Sequence, residues 1–183
     1  MIDLYFSGEL ETQIMKYCKK LEAISEEYDV LIFMARKAIC FYDALILNNM
    51  VKKPNHDVVI TTSSRILSYD CEFLKGKKIA LLDDIVLKGT TLNETIKFLL
   101  EKEINNFDIY YIASQSLENE KLKQIKSFLK EPILELESSE ILILSNSITN
   151  YINASACSYN VDYPVFYLNS GEDFYVNYIL KNN

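Results

Sequence analysis

Ile79-Ala80-Leu81-Leu82-Asp83-Asp84-Ile85-Val86-Leu87-Lys88-Gly89-Thr90-Thr91-Leu92 is the most informative stretch of the chain. Four consecutive apolar residues, Ile79 to Leu82, read as a strand buried on both faces, because a strand with one wet face alternates instead. The run ends at two carboxylates, Asp83 and Asp84. A short polar turn with a single glycine follows, and residues 92–103 then read as a helix with Leu92, Ile96, Leu99 and Leu100 on one side. Thr91 with Glu94 three residues later has the form of a capping box at its start. The free amides of a helix start, Gly89, and the hydroxyls of Thr90 and Thr91 together make a seat for phosphate. Asp83 and Asp84 suit either the paired hydroxyls of a ribose or a magnesium ion held through waters.

Outward from this turn the chain alternates between the two periods. Residues 9–27 predict a helix, with Leu10, Ile14, Cys18, Leu21 and Ile24 or Ser25 along one apolar face. Residues 30–34 are a continuous apolar run and predict a buried strand; 38–49 predict a helix, 58–61 a second strand and 108–113 a fourth, after the one at 79–82. Residues 118–130 and 140–156 read as helical, and 161–168 as extended because Pro164 opposes a helix there. Strands alternating with helices predict an α/β fold, a mostly parallel sheet flanked by helices, with a helical and extended C-terminal region. A chain of 183 residues fits one domain: an N-terminal helix at 9–27, a core over about 28–115 and a C-terminal region at 116–183. Ligands of such sheets bind beyond the carboxyl ends of the strands.

The charges point to the same edge. The chain has only two arginines, Arg36 and Arg65, and each follows a predicted strand. A parallel sheet brings both to the edge that carries residues 83–91. Guanidinium groups grip phosphate and pyrophosphate bidentately, so an anionic ligand is expected there. The net charge of −7 opposes any general binding of nucleic acid. Four cysteines without metal-ligand spacing, Cys18, Cys40, Cys71 and Cys157, are expected to be reduced thiols of a cytoplasmic protein. The single histidine, His56, lies in a polar stretch and has no partners for a histidine metal site. No apolar run reaches membrane-spanning length, and the first residues lack the pattern of a secretory signal. Thirteen tyrosines on an acidic chain would suit an interface, so a protein partner or a homo-oligomer is compatible with the composition.

Residues 79–91 resemble the signature of the type I phosphoribosyltransferases. In that family four apolar residues precede an acidic pair; four residues follow, usually ending in Thr or Ser, and then Gly, any residue, and Thr or Ser. Here Ile79 to Leu82, Asp83 with Asp84, Gly89 and Thr91 match, and Lys88 stands where the family has the first hydroxyl. The resemblance covers roughly residues 28–115. It implies a phosphoribosyltransferase-like fold and a phosphorylated ribose ligand, phosphoribosyl pyrophosphate, taken with Mg2+. Asp83 and Asp84 would then hold the ribose hydroxyls, and Lys88, Gly89, Thr90 and Thr91 the 5′-phosphate. Arg36 and Lys37, in the loop after the first core strand, and Arg65 after the next, would hold pyrophosphate. The implied activity is transfer of phosphoribose to a nitrogenous base. The loop at 34–38 lacks the family's glycines, which let a backbone crowd against a ligand. That departure favours an alternative: a catalytically degenerate, nucleotide-sensing or accessory protein of the same fold that acts through a protein partner. Domains of this kind also serve as accessory parts of bacterial systems, phage defence among them.

Overall fold

The structure is a computed structural model that describes residues 8–34, 37–47, 49–52, 57–61, 71–86, 89–114, 127–130, 132–134, 136–154 and 166–168. Among the described residues five strands form one sheet: β1 (Val30–Met34), β2 (Asp57–Thr61), β3 (Ile79–Val86), β4 (Phe107–Ser114) and β5 (Phe166–Leu168), in the order β4-β3-β1-β2-β5. The first four run parallel, and β5 joins β2 antiparallel at the edge. Four helices accompany them among the described residues: α1 (Gly8–Glu27), α2 (Lys37–Leu47), α3 (Thr90–Glu101) and α4 (Ser138–Ala154). This is the α/β architecture that the alternating periods predict.

Every residue of β1 is buried, and the two-residue period of the strand sorts its side chains between two cores. Leu31 and Phe33 share one face with Ala80, Leu82 and Ile112 and pack under α1, α2 and α4 through Ile14, Leu21, Ile39, Leu144 and Ile148. Val30, Ile32 and Met34 share the other with Ile79, Leu81 and Ile109 and meet Leu92, Ile96 and Leu99 of α3. Helices on both faces explain why the strands read as unbroken apolar runs.

Several boundaries differ from the sequence expectation, each for a local reason. Strand β3 does not stop at Leu82; it continues through both aspartates to Val86, because β4 stays alongside and pairs Asp83 with Tyr111, Ile85 with Ala113 and Val86 with Ser114. The helix expected over 38–49 ends at Leu47, since Asn49 takes a left-handed φ of 57°. Its N–H donates to the Ile46 carbonyl and that of Met50 to the Leu45 carbonyl, the paired bonds of a Schellman ending. α3 closes in the same way, with Glu103 at φ 62° and the Ile104 N–H donating to the Leu99 carbonyl. α3 also begins at Thr90, with Gly89 as its N-cap, so Thr91 lies inside the helix and the Thr91–Glu94 capping box does not form. The helix expected over 118–130 is absent from its described end. There the Phe128 carbonyl accepts from the Ile109 N–H and the Lys130 N–H donates to the Ile109 carbonyl, so residues 128–130 lie along the edge of β4. Apolar residues such as Phe128 and Leu129 pack on that strand edge instead of turning through a helix.

Cys18 and Cys71 are buried free thiols, and burial pushes the Cys18 thiol up to about 11. The side chains of Cys40, Cys157 and His56 lie outside the described residues. Among the described residues no helix is long and apolar enough to cross a membrane.

At the amino end of the sheet, the buried Tyr28 hydroxyl donates to Asp108 at 2.6 Å and lies 2.9 Å from the Tyr110 hydroxyl. Burial first, and then the bond to Asp108, hold that hydroxyl protonated far above the usual tyrosine range. The bond ties the end of α1 to β4 across 80 residues of chain. Tyr28→Phe is therefore expected to cost about 1–2 kcal/mol, since the partners lose a buried donor. Urea unfolding of the two proteins measures it; an unchanged midpoint would mean that Lys130, 3.0 Å from Asp108, is sufficient for that carboxylate.

Candidate functional site

Strand order locates the site without reference to any motif. From β1 the chain crosses to β2 on one side and then returns to β3 on the other side of β1. At such a reversal the loops leaving the two central strands diverge and open a crevice at their carboxyl ends. The loops in question follow β1 and β3. The last paired residues of those strands are Phe33 and Leu82, so Asp83 and Asp84 emerge where β1 ends.

The far wall of this crevice is the start of α3. Gly89 has φ +66°, a left-handed value natural to glycine, and its carbonyl accepts the first bond of α3 from the Asn93 N–H at 2.9 Å. As N-cap it supplies no side-chain acceptor, so the opening amides of the helix have no side-chain cap. Asp83, Ile85, Val86, Gly89, Thr90, Thr91 and Leu92 line a cleft of about 350 Å³. That volume lies within the range of small-molecule sites, about 300–1,000 Å³. The helix start faces the cleft with its positive pole.

Next to the acidic pair lies the start of α2. Lys37, its first residue, places Nζ 3.8 Å from Asp84 Oδ2 and donates to Ser145 Oγ of α4 at 3.2 Å. The Asp84 N–H donates to Asp83 Oδ1 at 2.9 Å. The Asp83 carboxyl is half-buried and pushed up to about 8, first by loss of solvation and then by the charge of Asp84. The Asp84 amide and the more distant Lys37 pull the other way without prevailing. Asp83 therefore keeps its proton at neutral pH, beside Asp84. The buried Tyr17 hydroxyl is raised well above its ordinary range by burial, with Asp84 among the lesser contributors.

The structure thus brings together Asp83, Asp84, Lys37, Gly89, Thr90 and Thr91 of the residues named from sequence. Arg36, Arg65 and Lys88 lie outside the described residues. Sequence reading missed Ser145 and Tyr17. Ser145 had a signal: it falls on the buried stripe of α4 marked by Ile141, Leu144 and Ile148, where an apolar residue is the rule.

The fold defines an α/β protein with a cleft at the topological switch point of its sheet. No family model and no curated protein matches the chain. Among solved structures it is similar to a hypoxanthine-guanine-xanthine phosphoribosyltransferase at 18% identity, covering 57% of this chain and 64% of that one, with a TM-score of 0.42. A hypoxanthine phosphoribosyltransferase from Staphylococcus aureus matches at 20% identity over 69% of this chain and 70% of that one, with a TM-score of 0.41. A hypoxanthine-guanine phosphoribosyltransferase from Bacillus anthracis matches at 17% identity over 66% and 75%, with a TM-score of 0.43. The chain spans slightly less than two thirds of the first of these, 64%.

Proposed function

We propose that the crevice between β1 and β3 binds a phosphorylated ribose, phosphoribosyl pyrophosphate or a nucleotide, and that the protein is phosphoribosyltransferase-like. The observation that carries this reading is the switch-point cleft itself, in which the carboxyl of Asp83 faces the uncapped start of α3. A phosphate would sit on the amides and hydroxyls of 89–91, with Lys88 beside it, and the ribose hydroxyls would reach Asp83 and Asp84. Arg36, Lys37 and Arg65 would neutralise pyrophosphate. In transfer, a base nitrogen bonds to the anomeric carbon as the carbon–oxygen bond to pyrophosphate breaks and its electron pair leaves with pyrophosphate. The protein's part is positioning, charge neutralisation and exclusion of water.

The donor set fits magnesium. Asp83 and Asp84 crowd each other, and the Lys37 ammonium is 3.8 Å from Asp84. Among the described residues no group of three or more ligating side chains occurs, so the ion would be held by these two carboxylates, waters and ligand phosphates. When bound it would supply positive charge to the phosphates. A single cytosolic domain with reduced thiols is part of this proposal.

Calorimetric titration with phosphoribosyl pyrophosphate, with and without magnesium, tests it. Magnesium-dependent binding is expected, and the absence of any binding would overturn it. Turnover with purine and pyrimidine bases then separates an enzyme from the second reading, a nucleotide sensor working through a partner, which the glycine-free loop at 34–38 favours.

A further inference from the structure

We propose that Ser145 is a positioning residue for Lys37, and that α4 thereby forms part of the ligand site; this rests on the reading of the β1–β3 crevice as an anion site. Lys37 opens α2, where the helix dipole disfavours a cation, so α2 does not explain why its ammonium stays at this edge. Among the described residues two groups outside α2 lie against it. Asp84 Oδ2, at 3.8 Å, is beyond hydrogen-bonding distance, whereas Ser145 Oγ at 3.2 Å accepts directly. The serine is the nearer anchor, 108 residues away in the chain.

Ser145 is itself well fixed. Ile141, Leu144 and Ile148 bury the same face of α4 against the sheet, and the Ser145 carbonyl accepts the Thr149 hydroxyl at 2.8 Å. A hydroxyl on a helix pinned this way limits the sweep of a long, half-exposed lysine and keeps its charge beside the acidic pair. Without it, the ammonium is free to swing into solvent, and an incoming pyrophosphate meets a disordered cation that must be ordered on binding.

The test uses the full chain and phosphoribosyl pyrophosphate with magnesium. Ser145→Ala is expected to weaken binding about fivefold, the scale of one ordinary hydrogen bond in competition with water, and Ser145→Thr to restore most of it. In a Lys37→Met background Ser145→Ala should change nothing further. An equal loss in that background would assign Ser145 to packing of α4 and overturn the proposal, as would unchanged binding in Ser145→Ala alone. A ligand-free measurement keeps the two readings apart. The ε-methylene protons of Lys37 should be distinct by NMR in the wild type and merge in Ser145→Ala. If the wild type binds no phosphoribosyl pyrophosphate, the anion-site reading falls with it, and this signal alone decides whether Ser145 holds Lys37: no change on Ser145→Ala overturns that too.

Discussion

Asp83→Asn is expected to raise the melting temperature at pH 8 by about 4–8 °C and to leave it close to that of the wild type at pH 4. The folded protein holds the Asp83 proton up to about 8, whereas in the unfolded chain the group titrates near 3.8. Between these values the folded state carries more protons than the unfolded state, so the wild type loses stability as pH rises through that window. An amide has the shape of the protonated acid and does not titrate, so the variant escapes the loss. The full shift is discounted for residual solvent at this half-buried carboxyl, which leaves about 2 kcal/mol. The same substitution should weaken magnesium-dependent binding of phosphoribosyl pyrophosphate about 100-fold, because an amide cannot give up a proton to become an anionic donor when the ion arrives. Stability and affinity moving in opposite directions is the mark of a site that holds strain for function. Thermal scans across pH and calorimetry on the two proteins check both. Equal melting temperatures at pH 8 would mean that the carboxyl is solvated and carries no such strain.

The position of this carboxyl was legible in the sequence; its electrostatics were not. The unbroken apolar run from Ile79 to Leu82 announced a strand covered on both faces, and buried core residues of α1, α2 and α3 provide that cover. An acidic pair after such a run falls at the carboxyl edge of the sheet, whatever the details of the turn. What the run could not show is that β4 pairs on to Ser114 and so carries β3 through both aspartates. That extension depends on a partner strand more than twenty residues away. Local signals failed for a similar reason at Thr91, where a capping box was spelled out but the left-handed Gly89 started the helix two residues earlier. The bond from Lys37 to Ser145 joins two helices that no local pattern connects, and only the polar interruption of the α4 stripe hinted at it.

Gly89→Val separates the two things that this glycine does. With φ at +66°, a β-branched residue would be strained by about 2–3 kcal/mol, and the stability of the variant should fall by that amount in urea unfolding. Its side chain would also project from a buried position that lines the cleft, so phosphate affinity should fall about 100-fold. A fall in both could follow from unfolding of the turn alone. Gly89→Asn resolves the ambiguity, because asparagine tolerates the left-handed region far better. It should recover most of the stability and little of the affinity, since its side chain still occupies the space where the ligand approaches the opening amides of α3. If Gly89→Asn binds phosphoribosyl pyrophosphate as the wild type does, the phosphate is not seated against this backbone. The glycine would then serve only to turn the chain from β3 into α3.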